Sequence, residues 1–146
     1  MSSLGTSLVW GHSALQLVID SSADGPVGVR TLSPGHPADD VRATQPLVEV
    51  LVAGAGRARA SHRFSETAVG RRLRYVGAER SRDGEWRELR VDLRDDQTGL
   101  TARTTFRSVD GVGACQVRTT VTNEDWSKWC SGGFCTWTSA LYCFQQ

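Results

Sequence analysis

The chain has 146 residues, 39% of them apolar and 23% charged, with a formal net charge of +1. That length fits one domain able to bury a core of useful size. The near-zero charge gives no electrostatic basis for nucleic acid or an anionic membrane as partner, and no run of about 18 apolar residues offers a bilayer span.

The N-terminal stretch "MSSLGTSLVWGHSALQ" lacks the basic residues and apolar stretch of a secretory signal, so a cytoplasmic location is the expectation. "ALQLVID" and "VGVRTL" flank the turn "SSADGP" and read as a hairpin. The segment 33–46, "SPGHPADDVRATQP", reads as a loop, and "LVEVLV" at 47–52 as a strand covered on both faces or packed centrally. Beyond it the periodicity is two. Leu89, Val91 and Leu93 alternate with Glu88, Arg90, Asp92 and Arg94. Leu100, Ala102, Thr104 and Phe106 alternate with Thr101, Arg103, Thr105 and Arg107, and Cys115, Val117, Thr119 and Val121 with Gln116, Arg118 and Thr120. Such patterns predict antiparallel strands with one solvated face, joined at the turn signals "SRDGE" (81–85), "RDDQTG" (94–99) and "VDGVG" (109–113). No stretch has a helical stripe. The predicted fold class is all-β, with antiparallel sheets forming part of a β-sandwich.

Several stretches imitate chemical motifs. "VEVLVAGAGRARA" (48–60) runs an apolar strand into Gly54 and Gly56, but Arg59 stands where a dinucleotide fingerprint needs a third small residue, and no helical stripe follows. "GHSAL" (11–15) has Leu15 where a nucleophile elbow needs glycine, and Leu15, Leu17 and Ile19 continue a strand. Arginines 72, 74, 87, 90, 94, 103, 107 and 118 are interleaved with Glu85, Glu88, Asp92, Asp95 and Asp96, which predicts cross-strand ion pairs on a solvated face rather than a nucleic-acid surface. The pairs Asp39–Asp40 and Asp95–Asp96 lie in polar turns, where both members are expected to be solvated and ionised, unsuited to acid/base work. No catalytic, cofactor-binding or metal-ligating residue is assigned.

Cys115 is the lone cysteine before residue 130, so the main body is not a disulfide framework. From Asp125 onward the composition changes abruptly, to "DWSKWCSGGFCTWTSALYCFQQ". Cys130, Cys135 and Cys143 lack the close pair of a structural zinc site, and no histidine follows His62. One disulfide would need an oxidising compartment, and a modified-peptide core fits the composition only loosely. The expected organisation is a sandwich segment at 1–124 and an atypical Cys/Trp-rich tail at 125–146, outside the fold and joined from elsewhere.

"WGHSALQLVID", "QPLVEVLVAGAG", "VGRRLRYVGAE" and "WRELRVDLRDDQTGLTARTTFRSVDGVGACQVRTTVTNE", taken in order, resemble the N-terminal domain of glycoside hydrolase family 36 alpha-galactosidases over residues 9–124. The resemblance implies the first part of a β-supersandwich, preceding a barrel that cleaves terminal α-galactosides with retention through two carboxylates. The family's Lys-x-Asp nucleophile motif has no counterpart, since the lone lysine, Lys128, is followed by Trp129 and Cys130.

The resemblance therefore implies a non-catalytic domain related to alpha-galactosidase, a fragment without its barrel and not itself an enzyme. The implied partners are a carbohydrate or a glycosidase catalytic barrel, with self-association through open sheet edges that would leave Cys115, Val117 and Val121 on an uncovered inner face. The competing reading is a stand-alone carbohydrate-binding sandwich that stacks sugars on Trp86 or on tail aromatics.

Overall fold

A computed structural model of the chain describes residues 7–22, 25–33, 45–50 and 67–123, together with the strand at 137–139. These form two antiparallel sheets. The smaller contains β1 (Ser7–His12), β2 (Leu15–Asp20), β3 (Gly28–Ser33) and β4 (Gln45–Pro46), hydrogen-bonded in chain order. After a short helix α1 (Ala68–Arg72), the larger sheet runs β5 (Arg74–Asp83), β6 (Trp86–Asp95), β7 (Leu100–Val109), β8 (Gln116–Asn123) and β9 (Trp137–Ser139), again in chain order. Both sheets are meanders whose neighbours in space are neighbours in sequence, so local turns set the register.

The turns lie where the sequence predicts them. Asp83 pairs with Trp86 across the Gly84–Glu85 turn, and Asp95 with Leu100 across a turn closed by the Gly99 N–H donating to Asp95 O at 2.9 Å. The β1–β2 hairpin is tighter: His12 pairs with Leu15, and a Cβ on Gly11 would collide with the Leu15 carbonyl oxygen. Glycine is therefore needed there for the close approach of the two strands.

The predicted alternation holds in the core. Leu89, Val91 and Leu93 of β6 and Ala102, Thr104 and Phe106 of β7 are buried, and across the interlayer space stand Trp10, Leu15, Leu17 and Ile19. The Trp10 and Phe106 rings meet from opposite sheets with centroids 6.2 Å apart. Each fully buried Leu or Ile contributes about 1.5–3 kcal/mol through removal from water, so this shared layer is what joins the two sheets into a sandwich. The hydroxyl of Thr104 is satisfied within the layer by its cross-strand partner Thr119 at 3.1 Å.

The solvated face of the larger sheet carries the predicted ion pairs at directly opposed positions. Arg103 binds Asp92 at 2.7 and 3.1 Å, Arg107 Nε lies 2.7 Å from Glu88, and Arg90 lies 3.7 Å from Glu79. Three arginines of the predicted set stand elsewhere. Arg72 is on α1, Arg74 donates to the Arg71 carbonyl at 2.7 Å, and Arg87 shares the parity of Leu89 and faces the interlayer side.

Several expectations are corrected. The strand placed at 47–52 is confined to Gln45–Pro46; Leu47, Val48 and Val50 instead pack against the core as irregular chain, while 51–52 lie outside the described residues. A nearly continuous apolar run marks burial, and here burial comes without a ladder. A helix exists where none was predicted. Thr67 caps α1, its Oγ1 accepting the Gly70 N–H at 3.0 Å, and also donates to Glu49 Oε2, while its own N–H reaches Glu49 at 3.0 Å. A Cβ on Gly70 would collide with Glu49 Oε2 and lie 3.0 Å from the Val48 carbonyl, so glycine lets α1 sit on the 48–49 segment. The inner-face residues Cys115, Val117 and Val121 are partly buried against the core rather than uncovered, and Cys115 precedes β8.

Asp95 is the largest correction. The sequence reading leaves it solvated, yet it is 1% exposed. Arg72 donates to it through Nε at 3.1 Å and Nη2 at 2.9 Å, Thr98 Oγ1 at 2.6 Å and the Gln97 N–H at 3.2 Å. Burial alone would raise its pKa. These hydrogen bonds, with the Arg72 charge, outweigh burial and hold the carboxyl below its ordinary value, so it is ionised as expected but enclosed. The cause of its position is parity: 89, 91, 93 and 95 face the same way.

Of the tail expected to lie outside the fold, Trp137–Ser139 is laid against β8 as β9, with Val121 opposite Trp137. The rest of 125–146, with Cys130, Cys135 and Cys143, lies outside the described residues, as do Asp39, Asp40, Gly54, Gly56, Arg59 and His62. Among the described residues no helix is long and apolar enough to cross a membrane.

Candidate functional site

At the end of the sandwich where the β1–β2 and β5–β6 hairpins meet, the apolar layer gives way to an open cleft of about 520 Å³. Its apolar wall is Val9, Trp10 and Leu15; its polar wall includes His12, Gln16, Arg80, Arg82, Arg87 and Glu88. The larger sheet supplies the arginines by register. Arg80 is opposite Leu89, Arg82 opposite Arg87, and Arg87 opposite Ser108, so all follow the inward parity past the point where the smaller sheet's apolar cover ends.

The three guanidinium groups are engaged unequally. Arg82 and Arg87 share Asp110, each placing Nη2 3.1 Å from Oδ2, with a second contact from Arg87 Nε to Oδ1. The Arg87 hydrogen bond is the main reason the Asp110 carboxyl lies below its ordinary value. Arg80 has no carboxylate partner among the described residues; its Nη2 donates to the Val9 carbonyl at 2.8 Å, bridging the two sheets. Glu88 is not available to it, being occupied by Arg90 at 3.0 Å and by the close charge of Arg107, whose Nε is too poorly aligned for a hydrogen bond.

His12 is the one cleft residue that suggests catalysis, and its geometry assigns it a different role. Nδ1 accepts the Ala14 N–H at 3.3 Å, which leaves the ring proton on Nε2 to donate to Ser108 Oγ at 2.9 Å. Ser108 Oγ passes its own proton toward the Ala114 carbonyl at 2.8 Å. A nucleophilic serine needs the reverse arrangement, with an imidazole nitrogen accepting the hydroxyl proton. Ser108 is also 1% exposed. This relay ties β1, β7 and the β7–β8 loop together.

"GHSAL" forms the β1–β2 hairpin, with Ser13 exposed in its loop, so the elbow resemblance carries no strand-to-helix turn. Trp86, a candidate sugar platform, has the Arg107 guanidinium 5.0 Å over its ring, which occupies one stacking face. Cys115 is a half-buried thiol with its pKa pushed up by burial, the opposite of an activated nucleophile. Among the described residues no cluster of three or more metal-ligating side chains occurs.

Sequence reasoning did not single out Arg80, Arg82, His12 or Gln16 for the cleft. The signal was present for the arginines: fixing the turn at Gly84–Glu85 places 80 and 82 on the same side as Leu89. No family model matches the chain, and no curated protein sequence does.

Proposed function

We propose that the chain is a non-catalytic β-sandwich domain related to the N-terminal domain of family 36 alpha-galactosidases, serving as an accessory and assembly surface beside a glycosidase barrel. The observation that carries this reading is the meander β5–β8, formed by the segment whose ordered motifs resemble that domain, on an all-β sandwich. The chemistry of the cleft agrees with it, since His12 and Ser108 are committed to structural hydrogen bonds. The exposed Tyr75 and Val76 on the edge strand β5 give such a surface its apolar contact. Incubation of the purified chain with a chromogenic α-galactoside is expected to give no turnover above a buffer control. Turnover that co-purifies with the chain overturns this reading.

A second reading, a stand-alone carbohydrate-binding module, is favoured by one observation: an open cleft that combines a Trp10 and Leu15 wall with convergent polar groups. Saturable binding of a monosaccharide to the isolated chain supports it.

A further inference from the structure

We propose that the cleft between the β1–β2 and β5–β6 hairpins binds a sugar acid, a monosaccharide carrying a carboxylate; this rests on the carbohydrate-binding reading and specifies the ligand. Charge is the first argument. Three guanidinium groups, Arg80, Arg82 and Arg87, line the cleft, and the carboxylate that answers them is Asp110, shared by the last two. Glu88 also lines it but is held by Arg90 and Arg107 from the outer face. The wall is left with a positive excess centred on Arg80. Among the described residues its one hydrogen bond is to the Val9 carbonyl, and a guanidinium has five N–H donors, so a fork is left for an incoming carboxylate.

The second argument is independent of charge. Gln16 is one of the cleft residues, and among the described residues its buried Oε1 has no hydrogen-bond partner. A buried acceptor without a donor costs about 1–3 kcal/mol, and a ligand hydroxyl would recover that cost. A simple inorganic anion answers Arg80 but leaves Gln16 unpaired, while a neutral sugar answers Gln16 but leaves Arg80 without its counter-charge. A sugar acid satisfies both, and its ring carbons face Trp10 and Leu15, which are buried and supply an apolar floor.

The test is a titration of the full chain, followed by ¹H–¹⁵N spectra, with glucuronate and galacturonate, with the neutral sugars glucose and galactose, and with acetate. One or both acids are expected to shift the His12, Gln16 and Arg80 amides saturably, with the neutral sugars and acetate at least about tenfold weaker. Arg80→Met is expected to weaken the acid by about tenfold or more, and Arg103→Met, on the opposite face, to leave it unchanged. Because Arg80 also bridges the sheets, a sodium chloride series on the unmodified chain gives a second measure: affinity for the acid should fall as salt rises. Neutral sugars binding as tightly as the acids overturn this proposal and leave the carbohydrate reading standing. Acetate matching the acids, salt-independent binding, or a folded Arg80→Met with undiminished affinity overturns it too. If no compound shifts these amides, both readings fall.

Discussion

The two ends of the larger sheet each hold an aspartate gripped by arginine, and the two pairs do different work. At the β6–β7 turn, the Asp95 side chain is 2% exposed and collects Arg72, Thr98 and the Gln97 amide. At the other end, the Asp110 side chain is 41% exposed and is shared between Arg82 and Arg87. The donors are alike, so burial makes the difference. Water screens the outer pair, whereas the inner carboxylate has given up its hydration and depends wholly on its protein donors. The contrast separates a clasp, which fastens α1 to the sheet, from a surface arrangement that shapes the cleft.

Removing each carboxylate sharpens this difference. Asp95→Ala is expected to have the largest effect, about 3–5 kcal/mol in urea unfolding, because Arg72, Thr98 and the Gln97 amide all lose their shared acceptor at once. Gly70→Ala should come next, at about 1–3 kcal/mol, since the added methyl must push α1 off Glu49 and so drag Arg72 away from Asp95. Acid should reveal the same clasp. The folded-state value of Asp95 is lowered, so its contribution is complete at neutral pH. It begins to fade as the pH drops below the ordinary carboxyl value near 3.8 and is lost once the pH passes the folded value. Denaturant midpoints between about pH 2 and about pH 7 should therefore show a steeper acid fall for the native chain than for Asp95→Asn. Asp110→Ala should have the smallest effect, a melting curve little changed from that of the native chain. A large loss there would break the comparison.

The strands were legible because period-2 alternation and turn residues agree. In β6 and β7 the inward series from Leu89 to Leu93 and from Ala102 to Phe106 is buried as read. Asp95 is legible in the same series, but its residue type points to a polar turn, and type misleads where a half-buried arginine is supplied from elsewhere. α1 was not legible: five residues are too few to show a helical stripe, and its cap Thr67 acquires meaning only once Glu49 is beside it. "LVEVLV" correctly signals burial, but composition cannot tell a buried ladder from buried irregular chain. Of the cleft, the arginine parity could be read from the Gly84 turn. The placement of His12 and Gln16 against it could not, because it depends on how one sheet lies across the other.

β5 borders the larger sheet with Glu79, Arg80, Arg82 and Asp83 along it. Suppose a second copy tried to add its own β5 antiparallel about a two-fold axis normal to the sheet. A dyad at Glu79 opposes two glutamates, one at Arg80 opposes two arginines, and one at Ser81 sets Arg80 on Arg82 and Glu79 on Asp83. Each arrangement brings like charges into direct opposition. In these registers the β5 border thus repels its own twin, and a visitor welcomed there must bring a different charge sequence.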